Sequence, residues 1–487
     1  MGIFKKLFQQ TFIYGLATVL PRALAIVLVP LYTSVLAPSS FGIYATLMSY
    51  IILGNVLLSY GMETAFFRFI NKHETQKKTV EQTVLTSLTA TALLFLAVTL
   101  LFREQIAITV DFKVEYITYA LLILVLDALV ILPFAWFRAN EKPMRYAAIK
   151  ILNVCINLGC NLFFFLVLPK LQADVATSFW DTPEFIPEGK VVYVFISNMI
   201  ASAVTLLLLL PLYFKIGFGL DKKLWKQLLK YALPVLVAGI AFSINEAFDK
   251  ILLKYLLPES IAEAEVGVYA ACYKLGVFMT LFATAFRLGI EPFFFNHAKA
   301  ENAKATYATI TKYFTIFGSA ILLVVIVYID VFKRILITDT EYWRALGIVP
   351  IILLANLCLG IYHNLSVWYK VTDRTRFGAY ISITGAVITL VLNFALIPVM
   401  SYMGSAIATL AAYGTMMFLS YFFGRKYYAV PYDLKKIGAY LFLSIVFSGI
   451  AFYIFESNLI IGTALLLVFL LLVFLLEKKE LLRILKR

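Results

Sequence analysis

Apolar residues run along this chain in blocks of about 20, broken only by short polar stretches, from Thr11 to Leu476. A helix of about 20 apolar residues covers a hydrocarbon core roughly 30 Å thick, so the pattern predicts membrane-spanning helices and leaves no stretch for a soluble domain. Fourteen spans are read, near 11–36, 43–67, 83–102, 116–137, 146–168, 191–214, 231–257, 266–294, 306–332, 345–369, 377–397, 404–424, 437–455 and 458–476. The fold class is an all-α polytopic membrane protein. The breaks divide it into an N-terminal lobe of six spans over 1–214, an amphipathic linker at 215–230, and a second lobe of six spans over 231–424. Two further spans and a basic tail, 425–487, follow.

The polar breaks alternate in charge. Most of the 42 Lys and Arg fall in every second break, whereas the loop holding Glu259, Glu263 and Glu265 has no basic residue. The positive-inside rule then places both termini in the cytoplasm, with an even number of spans. The segment from Lys5 to Arg22 is too long and too polar for a cleaved signal peptide, so the first span is expected to be retained. The longest external loop, Pro169 to Lys190, is too short to fold alone, which weighs against an enzyme with a large external catalytic loop. Lys215 to Lys230 reads as an interfacial helix joining the halves, and Glu477 to Arg487 as an extension of the last helix without chemistry of its own.

Composition agrees. With 62% hydrophobic and 14% charged residues, the surface must be solvated mainly by lipid. The net charge of +14 does not point to nucleic acid, because the cations form small clusters between apolar spans and no stripe with exposed aromatics. Cys155, Cys160, Cys272 and Cys358 lie inside spans and read as small core residues. No metal-ligand spacing joins them to His73, His297 or His363, so no disulfide, metal or other cofactor is assigned.

A shift of 232 positions lays Trp136, Arg138, Glu141, Lys142 and Asn161 on Trp368, Lys370, Asp373, Arg374 and Asn393. A second echo relates Phe41-Gly42-Ile43-Tyr44-Ala45 to Val266-Gly267-Val268-Tyr269-Ala270. Both connect spans six helices apart, so the halves cross the membrane in the same sense and are expected to be related by an approximate two-fold axis along the membrane normal. Such a repeat fits alternating access, and equally a duplicated scaffold that moves nothing.

Inside the spans stand Arg22, Lys250, Lys254, Lys274 and Arg287 against Glu63, Asp127, Glu246, Asp249 and Glu291. Each costs at least ~2.5 kcal/mol near a helix centre, so each should face a partner or a wet cavity. Spacing allows Glu246 to close on Lys250 and Arg287 on Glu291, four residues apart on one helix. Glu291 and Lys254, near span ends, read as paired or snorkelling. Asp249, Lys250 and Lys274 share a depth, where an ion pair and a cavity-lining cation are equally consistent. Arg22 follows Pro21 in the middle of span one with no acid one turn away, so it needs an interhelical partner or an anionic ligand. Arg287 is the second such candidate. An arginine fork matches phosphate oxygens, which favours a phosphate-bearing lipid over a lipophilic cation. Arg22, Arg287, Lys250 and Lys274 are therefore the candidate substrate-binding residues. Asp127 is either a counter-ion or a proton-binding coupling site, and Asp249 and Glu63 share that role. Pro21, Pro30, Pro133 and Pro234 permit helix bending.

The runs Gly15 to Arg22, Phe41 to Tyr44 and Gly61 to Phe69, with Tyr231 to Pro234, Asp249-Lys250, Gly267 to Tyr269 and Glu291 to Phe293, resemble the polysaccharide biosynthesis transporters. These are the oligosaccharide-lipid flippases of the multidrug/oligosaccharidyl-lipid/polysaccharide exporter superfamily. The resemblance implies two six-helix lobes in a V around a cationic cavity, with two extra C-terminal helices. It implies an undecaprenyl-diphosphate-linked oligosaccharide as substrate, flipped across a bacterial inner membrane for O-antigen, capsule or exopolysaccharide assembly. Membrane lipids surround such a protein, and its implied pathway partners are glycosyltransferases and a polysaccharide polymerase. The chain departs from the family's usual pattern in the Pro169 to Lys190 loop and in Lys250, where an arginine is common. Three alternatives stand beside this reading: a drug/cation antiporter of the same superfamily, a peptidoglycan lipid-precursor flippase, and a scaffold that binds a lipid precursor without moving it. A membrane glycosyltransferase would need a loop of clustered carboxylates or histidines, which the sequence lacks.

Overall fold

The computed structural model describes residues 19–21, 23–72, 76–174, 189–297 and 300–485. The regular elements among them are all helices. The first, α1 (Val19–Val35), is apolar but short. Thirteen more are long and apolar enough to cross a membrane: α2 (Pro38–Asn71), α3 (Lys77–Leu101), α4 (Val114–Ala139), α5 (Pro143–Leu171), α6 (Val191–Ile216), α7 (Lys222–Leu256), α8 (Glu259–Glu291), α9 (Ala303–Val327), α10 (Thr340–Val371), α11 (Arg376–Met400), α12 (Tyr402–Tyr427), α13 (Leu434–Ile454) and α14 (Leu459–Lys478). Each expected span overlaps one of these. The reason is physical: in lipid every backbone N–H and C=O must be satisfied inside its own segment, and the helix does that.

The described chain packs as two compact units. One runs to Leu28 and resumes over Val35–Gly267; the other holds Val29–Ser34 and everything from Val268. The division falls within α8, so α7 packs with α2 and α3 in the first unit.

In the first unit an aromatic core of Phe66, Phe69, Trp136 and Phe137 packs with Val84, Leu88, Leu224 and Leu228 at the basic end of the helices. Here the structure corrects the linker. Residues 222–230 form no separate interfacial helix; they are the first turns of the 35-residue α7, capped by Asp221, whose carboxylate accepts from the backbone N–H groups of Lys223 and Leu224. Leu224 and Leu228 turn inward, and the Trp225 indole donates to Ser87 Oγ at 2.8 Å on α3. Just before it, Thr86 of α3 donates to the Gly219 carbonyl and Gln82 to that of Ile216. Elsewhere in this unit the two echoed glycines meet. A methyl group on Gly42 would stand 1.8 Å from the Glu263 carbonyl oxygen, and one on Gly267 would stand 1.8 Å from that of Pro38. Glycine is what allows α2 and the start of α8 to touch backbone to backbone.

The second unit stacks α9 on α10, α13 and α14, and pairs α12 with α10 and α11. Tyr362, Tyr413 and Met416 fill one part of its interior, and Leu323, Leu466 and Phe469 another. The tail expected to carry no chemistry supplies an ionic hub. The helix of α14 continues to Leu485, and Glu477, fully buried, accepts from Lys312 of α9 at 2.7 Å, Lys436 of α13 at 2.8 Å and the Tyr440 hydroxyl at 2.7 Å. The last two spans are thereby bonded to the ninth.

Local geometry repeats at the 232-residue offset. Glu141 and Asp373, at the turns after α4 and α10, both take positive φ, 51° and 55°. In each turn the same backbone bonds recur, Lys142 N–H to Phe137 O at 2.9 Å and Arg374 N–H to Tyr369 O at 2.8 Å. Asn161 and Asn393, both fully buried, each donate to a carbonyl one turn back.

Removing the hub carboxylate strands a buried lysine. Breaking a buried pair in this way costs about 3–5 kcal/mol. Glu477→Ala is expected to lower the melting temperature of the detergent-solubilised protein sharply, and adding Lys312→Met is expected to restore much of it, read by a thermal unfolding scan.

Candidate functional site

Each charge in a span is placed by the helix that carries it, and the structure shows what each one touches. Arg22, the foremost candidate, lies outside the described residues. In the first unit, Glu63 on α2 forms an ion pair with Arg138 at the end of α4, whose guanidinium also lies over the Phe67 ring at 4.7 Å. Asp127 on α4 accepts from Ser202 Oγ of α6 at 2.8 Å and from Asn55 Nδ2 of α2 at 3.5 Å, within the field of Lys150 on α5. Beyond it a polar seam joins α5 and α6, with Asn153 donating to Thr205 at 2.9 Å and Asn157 to Asn198 at 2.8 Å.

Lys250 Nζ binds the carboxylate of its neighbour Asp249 at 2.9 Å, and both side chains are nearly buried. Of the two consistent readings for this pair, the structure shows the ion pair. Lys254 is anchored as expected for a residue near a span end. Its ammonium meets the Asp111 carbonyl at 2.7 Å, the Asp111 carboxylate at 3.2 Å and Glu263 at 3.7 Å, over the Phe112 ring.

In the second unit the structure corrects a spacing argument. Arg287 and Glu291, four residues apart on α8, do not close on each other. Glu291 bonds across to Lys370 of α10 at 2.5 Å, and Arg287 Nη1 lies 3.4 Å from His363 Nε2 on the same helix α10. An arginine only donates, so Nε2 is the accepting nitrogen. That is the single polar contact Arg287 makes among the described residues, out of five N–H donors. Arg287, Glu291, His363, Asn364 and Lys370 enclose about 10 Å³, room for roughly one water. His363 stands in the field of both Arg287 and Lys370. The cluster therefore carries surplus positive charge in a small, apolar-walled space. Lys274, by contrast, is exposed in the one-turn 3₁₀ segment Lys274–Gly276 that interrupts α8.

Several of these participants escaped sequence reasoning. Lys150 and Lys312 sit inside spans but close to polar breaks. In the sequence His363 offers only a possible metal ligand, and Lys370 only an echo of Arg138. That echo was the available signal: Arg138 and Lys370 each pair with an acid near the end of the span two before their own, Glu63 and Glu291.

The profile of the polysaccharide biosynthesis protein family matches residues 7–296. The chain belongs to the polysaccharide biosynthesis protein family. No curated protein matches this family member significantly. Among solved structures it is similar to the lipid II flippase MurJ in an inward closed conformation, with a TM-score of 0.68 at 14% identity over 96% of this chain and 100% of that one. It is also similar to an inward-facing multidrug resistance MATE family transporter of the MOP superfamily, with a TM-score of 0.62 at 13% identity over 88% and 95%. A MATE transporter in its straight conformation gives 0.60 at 13% over 90% and 96%. At such identities the likeness is one of fold. This member of the polysaccharide biosynthesis family thus has the fold of the MOP-superfamily transporters, and its neighbours are transporters and a flippase rather than enzymes.

The ion pair between α8 and α10 is testable by charge exchange. Lys370→Glu is expected to set two carboxylates together and destabilise the protein, and Glu291→Lys combined with it to recover most of the loss, read by melting temperature in detergent. Recovery isolates the pair from other effects of either residue.

Proposed function

We propose that the protein translocates an undecaprenyl-diphosphate-linked oligosaccharide from the cytoplasmic to the periplasmic leaflet of a bacterial inner membrane, by alternating access, for surface polysaccharide assembly. One observation carries the reading. Arg287 stands inside the second unit without a carboxylate partner among the described residues, because its nearest acid in sequence, Glu291, is held by Lys370. An intramembrane arginine set against a neutral imidazole retains most of its donors for an anion, and diphosphate oxygens accept its fork in pairs. Membership of a polysaccharide biosynthesis family supports a glycan-bearing lipid, and the MurJ neighbour bears the name of a lipid II flippase.

In this reading Arg287 and Arg22 bind the diphosphate, and Lys274 adds a further cation. Lys250 acts through its pair with Asp249 and sets the local charge rather than gripping substrate. Asp127, bonded to Ser202 and Asn55 beside Lys150, is the coupling residue, and Glu63 holds Arg138. The alternating motion belongs to two six-helix lobes, 1–214 and 231–424, related by an approximate two-fold axis. The recurrence of the Glu141 and Asp373 turns and of the Glu63–Arg138 and Glu291–Lys370 pairs supports that relation. Both termini lie in the cytoplasm, with glycosyltransferases and a polymerase acting beside the protein.

The test is translocation of a lipid-linked oligosaccharide in proteoliposomes, scored by access of an external glycosidase. Wild type is expected to expose the glycan, and Arg22→Ala and Arg287→Ala are each expected to slow exposure about tenfold or more, the equivalent of losing charge-assisted hydrogen bonds. Equal exposure in all three folded proteins and in empty liposomes would overturn the reading.

A further inference from the structure

At the basic end of the first unit, α4, α5 and α6 leave an open groove of about 370 Å³ whose lining includes Trp136, Lys142, Arg145 and Lys215. Its remaining walls are apolar, among them Ile149 and Leu208, the latter 46% exposed. Three of the lining residues are cations and none is an acid. Lys142 and Lys215 both hold their ammonium groups at the Trp136 ring, 4.8 and 4.9 Å from its centroid. None of the three forms an ion pair among the described residues. The carboxylate of Glu81, bonded to the Trp136 indole, lies within the field of Lys215 but lines no part of the groove. With Arg145 lining the same groove, these cations outnumber the one nearby carboxylate, so an anion in the groove would be attracted to them.

The second unit shows what the same scaffold looks like when filled. At the 232-residue offset Trp136 corresponds to Trp368, and Arg145 to Phe377. Phe377 packs on Trp368 with centroids 5.2 Å apart, and Tyr427 stacks on the same indole at 5.9 Å. Aromatic rings thus cover the tryptophan in the second unit. In the first unit an arginine occupies the position of Phe377, and the space is open. A basic end is general to membrane proteins, but cations that converge on a core tryptophan beside an open, apolar-walled groove are not required by topology.

We infer that this groove binds a phospholipid with an anionic headgroup, its phosphate among Lys142, Arg145 and Lys215 and an acyl chain along Ile149 and Leu208. Basic pockets between membrane helices at the cytoplasmic surface take lipid headgroups in this way. The assignment is independent of the proposed substrate and of Arg287.

The test uses the full chain in detergent, with phosphatidylglycerol, phosphatidylethanolamine or inorganic phosphate titrated and bound species counted by native mass spectrometry. Wild type is expected to hold one phosphatidylglycerol about tenfold more tightly than phosphatidylethanolamine. Arg145→Phe, which installs the ring found in the second unit, is expected to abolish that preference. Arg145→Lys is expected to keep it, and Arg287→Ala to leave it unchanged. Equal binding of the two lipids by wild type, an unaltered preference in Arg145→Phe, or displacement of the lipid by millimolar inorganic phosphate would overturn the inference. Melting temperatures of Arg145→Phe and Arg145→Lys separate loss of lipid from loss of fold.

Discussion

A charge inside a membrane must find its compensation within the protein, and the interior of this chain is arranged around that requirement. The cost of leaving an ion unpaired in hydrocarbon is several kcal/mol, comparable with a large part of a protein's net stability. The chain meets it by bonding helix to helix. Lys312 and Lys436 converge on Glu477, Glu291 reaches Lys370, Arg138 reaches Glu63, and Lys254 gathers Asp111 and Glu263. Hydrophobic burial cannot choose between neighbours here, since lipid tails are as apolar as leucine. Polar contacts, small residues such as Gly42 and Gly267, and complementary shape decide which helices touch.

Against that background Arg287 is unusual among the described residues, because its compensation is weak. Arg287 faces a neutral imidazole in a space no larger than a water molecule. The cluster as it stands is too tight to admit a lipid diphosphate, so a binding role requires α8 and α10 to part. Helix α8 is already interrupted by the 3₁₀ turn at Lys274–Gly276, one of the few places in the second unit where a span departs from α geometry. The functional reading and the structural constraint therefore meet on one helix, which carries the arginine, the break and the acid that Lys370 holds away from the arginine.

Much of the fold was legible because membrane helices announce themselves by apolar length. The spans, the basic breaks and the offset of 232 residues all follow from one-dimensional pattern, and Glu141 and Asp373 show that the offset carries real geometry. Pairing was not legible. Spacing along a helix nominates partners at four residues, yet Glu291 bonds across helices, because the position of Lys370 depends on how α10 packs on α8. The linker differs from its sequence pattern for a related reason: the basic face of Lys222 to Lys230 suggests an interface, but Trp225, Leu224 and Leu228 commit the segment to α3 and to the start of α7. Glu477 was invisible as a hub because its partners, Lys312 and Lys436, lie on two other helices 165 and 41 residues away.

Whether Arg287, without a carboxylate partner among the described residues, serves a phosphate-bearing lipid is tested most directly by offering wild-type protein two matched carriers in proteoliposomes. One is an oligosaccharide on undecaprenyl diphosphate, the other the same oligosaccharide on the same polyprenyl chain through a neutral linkage. The account predicts translocation of the diphosphate carrier and little or none of the neutral one. Equal translocation of both would contradict it, since the charge in the membrane would then have no bearing on what the protein moves.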